Sequence, residues 1–213
     1  MRIRTIALAA TLLVAAPLVA QQAMQVPGSK NPALVAAGSY TIDPGHTLIE
    51  WTVDHLGFSP YFGLFGEPTG TLTLDPKNPA AAKVDVTIPV SKVVTASAGL
   101  TGHLLRAPKE AGGKPDFFGP SPADARFVST RVVAKGQTAS VTGNLTLNGI
   151  TRPVTLQVAF YGAGKSPAQM GGKDNLGFEA HGTIRRSEFG IGFGVPMVSD
   201  EVKLKIAAAF TRD

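Results

Sequence analysis

From Ser39 onward the chain alternates apolar and polar residues in short runs broken by glycine, proline, asparagine and aspartate. Ile49, Trp51 and Val53 fall on one parity, with Glu50, Thr52 and Asp54 on the other. A period of two places the first set on a buried face and the second toward water. Lys83-Val84-Asp85-Val86-Thr87-Ile88 and Val202-Lys203-Leu204-Lys205-Ile206 are the cleanest alternations. The pattern predicts strands over 39–43, 47–55, 64–75, 82–90, 125–134, 138–147, 153–161, 176–186 and 201–211. The first two read as one strand bent around Pro44-Gly45, which leaves eight. Asn148-Gly149 between Leu147 and Ile150 is a hairpin signal. His55-Leu56-Gly57-Phe58-Ser59 interrupts the second run, and Gly63, Gly66 and Gly70 punctuate the third, as in a strongly curved sheet. Many short strands with frequent glycine and proline predict an all-β barrel or sandwich, and the pattern alone does not choose between them.

Three stretches fall outside that pattern. Arg2 and Arg4 precede an apolar run from Ile6 to Ala20, the layout of a secretory signal peptide, with cleavage expected after Ala20 or Ala23. Residues 21–38 carry Pro27, Gly28, Asn31 and Pro32 without periodicity and read as a flexible linker before a single domain over 39–213. Lys92 to Pro122 is too long for a turn, and a short helix is expected within it, in the 97–106 region.

Composition narrows the chemistry. There is no cysteine, which excludes a disulfide, a thiol nucleophile and a lipid anchor on a processed cysteine. The formal charge of +5 includes Arg2 and Arg4, and the remaining basic residues are scattered. The expected surface is therefore a solvated one, with no nucleic acid as partner and at most a weak attraction to anionic lipid headgroups. His46, His55, His103 and His181 have no i, i+2 or i, i+4 pairing and no HExxH, so no metal is expected. No G-x-S-x-G nucleophile elbow occurs, and Gly190-Ile-Gly192-Phe-Gly194 lacks the helix and lysine of a phosphate loop. That glycine-rich segment reads as a rim at a barrel mouth.

Several segments in this order resemble the YceI-like family: Asp43-x-x-His46, then Trp51-x-Val53-x-His55-Leu56-Gly57-Phe58-Ser59, then Gly63-x-Phe65 and Gly70-x-Leu72-x-Leu74-Asp75. The resemblance continues through Gly143-x-Leu145-Thr146-Leu147-x-Gly149-Ile150-Thr151-x-Pro153, and through Gly177-Phe178-x-Ala180, Ile184-x-Arg186-Ser187-x-Phe189-Gly190 and Val198-x-Asp200-x-Val202. It implies an extended eight-stranded antiparallel barrel, similar to lipocalins, in an exported bacterial protein that binds polyisoprenoid or related long-chain lipids. The chain departs from the family at Leu100-Thr101-Gly102, where a charged pair is usual, at Pro68, and in extra residues from Ala107 to Pro115.

The resemblance, joined to 11 phenylalanines, gives the expected site. Trp51, Val53, Phe58, Phe62, Phe65, Leu72, Phe117, Phe118, Phe127, Phe178, Phe189 and Phe193 are assigned to lining the bore. His46, His55 and His103 are assigned as contacts to a polar head, and segments 56–66, 97–120 and 187–199 as controlling access. The expected function is sequestration or carriage of a polyisoprenoid or isoprenoid quinone in the periplasm or outside the cell. No catalytic residue is assigned and no cofactor is expected beyond the lipid. Transient membrane contact and a homodimer complete the expected partners. Two alternatives stand beside this: an enzyme acting on a lipid or quinone through His46, His55 or His103, and a filled barrel serving as a protein-interaction module.

Overall fold

The computed structural model describes residues 25–213, so the expected signal peptide over 1–20 and its cleavage site lie outside the described residues. Ten strands form one antiparallel sheet: β1 (Gly38–Ile42), β2 (Leu48–His55), β3 (Ser59–Phe65), β4 (Thr69–Leu74), β5 (Lys83–Ile88), β6 (Ala125–Lys135), β7 (Thr138–Leu147), β8 (Ile150–Lys165), β9 (Asp174–Arg185) and β10 (Glu201–Arg212). Their order is β1-β4-β5-β6-β7-β8-β9-β10-β2-β3, and a further β1–β10 pairing closes the ring. β10 pairs β1 through Phe210–Arg212 and β2 through Lys203–Ala207, so β1 and β2 are two halves of one bent stave. β3 and β4 pair those halves in turn and form a second. The result is a closed eight-stranded antiparallel barrel with one short helix, α1 (Ala98–Leu104).

The bend at Asp43–Thr47 keeps its backbone satisfied through a side chain. Thr47 is buried, its hydroxyl donates to the Ala209 carbonyl (3.2 Å) and it accepts from the Ala209 amide (3.0 Å). The hydroxyl thus takes the place of a missing ladder partner. Across the β2–β3 hairpin Trp51 faces Gly63, where a Cβ would overlap the indole. Only glycine lets the ring lie flat on the neighbouring strand.

Two bulges change which residues face inward. β6 slips between Ser129 and Arg131, so Phe127 and Val132 share the inner face despite opposite parity. β8 slips between Phe160 and Gly162, leaving Tyr161 outside and 66% exposed. β8 also begins at Ile150 and ends at Lys165, longer at both ends than the 153–161 expected. The interruption at His55–Ser59 is a tight hairpin turn, with Leu56 (φ 62°) and Gly57 (φ 70°) both left-handed. β3 starts directly after it, earlier than the strand expected from residue 64.

Antiparallel order sorts the connections into two ends. One end gathers the segment before β1, the β4–β5 and β8–β9 connections and the β6–β7 turn. The opposite end gathers the β2–β3 turn, the long β5–β6 excursion, the β7–β8 turn and the β9–β10 connection. The excursion is seated on the free edge of β3, where Leu64 and Val94 exchange backbone hydrogen bonds of 2.9 Å each. Within it Ser97 caps α1 by accepting from the Leu100 amide (3.2 Å). Residues 25–37, the described part of the expected linker, meet β8 at Ser29 and carry a 3-10 turn at Pro32–Leu34.

Candidate functional site

The inner face divides into a packed half and a hollow half. In the packed half Phe127, Val141, Val154, Ile184, Phe189, Ile191 and Val202 form a buried cluster, with Trp51, Val53, Phe117 and Phe118 against it. In the hollow half a cavity of about 490 Å³ runs from mid-barrel toward the end that holds the β6–β7 turn. That volume lies inside the range of small-molecule pockets, about 300–1,000 Å³.

Strand alternation builds the cavity wall. Leu72 and Leu74 of β4, Val84, Val86 and Ile88 of β5, Val132 and Ala134 of β6, and Ala139 and Val141 of β7 follow one another around the bore. Leu156, Val158 and Phe160 of β8, Leu176 and Phe178 of β9, and Ile206, Ala208 and Phe210 of β10 continue it, and Ile42 and Ile49 complete the circuit. Phe160, Phe178 and Phe210 stack edge-to-face, with centroids 6.2 and 6.3 Å apart. Among the described residues the only polar side chains on the wall are those of Thr47, Gln137 and Thr138, and none is charged. Exposed Pro76, Pro79, Gly136, Gln137 and Thr138 frame the mouth, together with Pro32 and Val35 of the segment before β1. Such a space can hold an apolar molecule, each buried methylene of which contributes about 0.8 kcal/mol; among the described residues its wall carries no histidine, carboxylate or lysine.

The opposite end is shut by Arg186. The side chain is 5% exposed, and its guanidinium donates to four backbone carbonyls: Ser199 (2.9 Å), Ile191 (2.9 Å), Phe193 (2.8 Å) and Val198 (2.8 Å). Burial draws the guanidinium below its ordinary pKa, and Asp200 nearby acts in the other direction. Asp200 is itself anchored by the Ser187 amide and hydroxyl, each at 2.8 Å. The segment from Gly190 to Gly194 is therefore tied down over the packed half. It does not form the rim of the cavity mouth, nor do 56–66 and 97–120, because no residue of these segments lines the cavity.

Of the residues assigned to the bore, Leu72, Phe127 and Phe178 line the cavity. Trp51, Val53, Phe117, Phe118 and Phe189 belong to the packed half, and Phe65 meets Phe118 edge-on at 5.9 Å. Phe193, 43% exposed, packs on Phe117 and His103 (5.5 Å each). Phe58 and Phe62 are 87% and 61% exposed and face away from the bore. Phe58 sits on the hairpin turn, and Phe62 pairs with Thr52, on the outward parity of β2. The aliphatic wall residues are the ones that choice by ring missed, although alternation in 83–88 and 202–206 already pointed to them.

The histidines stay outside the cavity as well. His46 is exposed at the β1–β2 bend and bonds Asp43 (2.7 Å). His55 ends β2 at the far end, where it bridges to Val198. His103 on α1 bonds Asp116 (2.8 Å), which Arg106 also holds (2.8 Å), and the hydrogen bond from His103 does most to keep the Asp116 carboxyl below the usual range. These contacts pin the excursion to itself. Among the described residues no three histidine or carboxylate groups gather as metal ligands. Trp51 Nε1 is buried and has no hydrogen-bond partner among the described residues.

Known proteins share this fold. Protein YceI of Salmonella arizonae is 40% identical over 174 residues, covering 80% of this chain and 85% of that one. The fold matches the crystal structure of Burkholderia cenocepacia BcnA with a TM-score of 0.63 at 24% identity, over 79% of this chain and 98% of that one. It also matches a polyisoprenoid binding domain from Saccharophagus degradans implicated in plant cell wall breakdown, with a TM-score of 0.57 at 11% identity, over 82% and 98% of the two chains. The YceI-like domain matches residues 40–210, from the first strand of the barrel to the last, and the chain belongs to that family.

Proposed function

We propose that the protein is an exported carrier that holds a long-chain apolar lipid, a polyisoprenoid or an isoprenoid quinone tail, inside the barrel. One observation carries the reading: a cavity of about 490 Å³ whose strand-built wall is almost wholly aliphatic and phenylalanine, with no charged side chain. A prenyl chain offers almost no hydrogen bonds, so such a wall loses nothing by enclosing it, and the gain grows with each buried carbon. The polyisoprenoid binding domain of Saccharophagus degradans, which has the same fold, supports the choice of ligand. The basic start and apolar run of residues 1–20 support export.

Organic extraction of the purified protein, read by mass spectrometry, tests it. A long-chain isoprenoid is expected in the extract. An empty extract, joined to no uptake of added geranylgeraniol, overturns the proposal. Ala208→Phe fills the cavity from β10, and is expected to lower the lipid content at least tenfold while the barrel still folds.

A further inference from the structure

The segment before β1 lies upstream of the family match, and the fold nevertheless reserves a place for it. β8 outruns β7: the last bond on that side is from the Phe160 amide to the Gln137 carbonyl (2.8 Å), and Tyr161–Lys165 continue with one edge free. Ser29 takes that edge, exchanging both backbone hydrogen bonds with Ala163 (3.0 and 2.9 Å). The strand carries glycine on either side of Ala163. A Cβ on Gly164 would overlap the Pro27 carbonyl oxygen, and one on Gly162 would stand 3.2 Å from that of Ser29. At both positions the nearest atoms belong to residues 27–29 and to no part of the barrel. Missing side chains here make room for a second segment of backbone.

From Ser29 the chain crosses the hollow end of the barrel. Asn31 caps the turn at Pro32–Leu34 by accepting from the Ala33 amide (3.0 Å), and Pro32 and Val35 enter the cavity wall. The far side is fastened more firmly, by Tyr40 Oη donating to the Ala36 carbonyl (2.5 Å) and Arg212 Nη2 to the Ala37 carbonyl (3.0 Å). One bridged residue pair thus holds the near end, and its rupture leaves every pairing of the barrel intact. Segments with so few bonds open first.

We propose that residues 26–37 are a strap that closes the cavity, with Pro32 and Val35 as its ligand-contacting residues, and that its release from β8 governs passage of the lipid. This rests on the lipid-binding reading above. Gly164→Ala is the releasing variant, because its methyl group displaces the strap alone. Ser29→Cys with Ala163→Cys is the locking one: paired strand residues stand about 5.5 Å apart, within disulfide reach, and the chain has no other cysteine. Protein loaded with geranylgeraniol is mixed with excess phosphatidylcholine vesicles, and the prenol released is timed. Release is expected at least fivefold faster in the glycine variant, and at least fivefold slower in the oxidised cysteine pair, with recovery on reduction. Rates within twofold of the parent in both proteins overturn the strap.

A parent protein that retains no prenol overturns the lipid reading instead. The strap is then decided by maleimide labelling of Ala208→Cys, whose thiol would lie in the cavity. Labelling at least fivefold faster in the Gly164→Ala background supports the strap, and equal rates overturn it.

Discussion

Arg186 Nη1 donates to the carbonyl oxygen of Phe193 at 2.8 Å, across a connection built of a 3-10 turn at Arg186–Phe189 and short backbone-bonded turns. With the bonds to Ile191, Val198 and Ser199, one side chain substitutes for the ladder partners that the β9–β10 connection lacks. Arg186→Met keeps the apolar stem and leaves those carbonyls, one buried and three partly buried, without their donor, and an unsatisfied buried group costs on the order of 1–3 kcal/mol. The expected loss is about 3 kcal/mol or more in urea unfolding, with Arg186→Lys recovering only part of it because an ammonium cannot spread over four acceptors. An effect under about 0.5 kcal/mol would contradict this role.

Trp51 and Gly63 give a second test. The indole is packed, but its N–H is unpartnered among the described residues, so the ring contributes by area and carries the cost of one desolvated donor. Trp51→Phe removes that donor with part of the area and is expected to cost less than about 1.5 kcal/mol. Trp51→Ala is expected to cost about 3–5 kcal/mol, and Gly63→Ala to be destabilising despite adding a single methyl group, because the Cβ overlaps the ring. Denaturant midpoints of the three variants check the order, and a larger loss for the phenylalanine than for the alanine variant would refute it.

These two relationships differ in how far the sequence reveals them. The alternation of Val84, Val86 and Ile88 shows the inner face directly, and the closed barrel comes from many such runs joined to the family resemblance. The bulge at Thr130 is invisible in the pattern, since moving the inner face from Phe127 to Val132 looks like a lapse in alternation. Arg186 sits in a recognisable motif, yet its acceptors are backbone carbonyls 5 to 13 residues later, and backbone carries no sequence mark. Choosing site residues by aromatic type drew in Phe58, which sits on a hairpin turn, and Phe62, which strand pairing turns to solvent, and passed over Ile206 and Ala208. Position on the strand, more than ring size, decides what faces the cavity.

Phe58 and Phe178 make that difference measurable. Phe58→Ser alters an 87% exposed ring on a hairpin turn and is expected to change stability by less than about 0.5 kcal/mol and lipid content not at all. Phe178→Ala removes the middle ring of the Phe160–Phe178–Phe210 stack on the cavity wall. A loss of about 3 kcal/mol and at least tenfold weaker retention of geranylgeraniol are expected. Equal retention by the two variants would place the lipid somewhere other than this cavity.

Asp200 and Tyr40 are among the groups that make stability depend on pH, beside the depressed Asp116 and Asp213. Burial acts to raise the Asp200 carboxyl, but hydrogen bonds from the Ser187 amide and hydroxyl, with Arg185 and Arg186 near, hold it below its ordinary 3.8. A carboxylate depressed in the folded state stabilises at every pH above its unfolded value, and that contribution disappears as pH falls through the lower folded one. Asp85 is depressed too, chiefly by the hydrogen bond from Arg126, but that pair is exposed and contributes little. At the other extreme burial pushes the Tyr40 phenol above 10.0, although Arg212 opposes it. Unfolding then releases a proton at alkaline pH, so stability falls again as pH rises above about 10. Urea midpoints are therefore expected to form a plateau with an acid arm starting below about pH 4 and an alkaline arm above about pH 10. Asp200→Asn should reduce the acid arm alone and Tyr40→Phe the alkaline arm alone. An acid arm unchanged in the asparagine variant would mean that other carboxylates carry it, and that Asp200 has no part in holding the closed end.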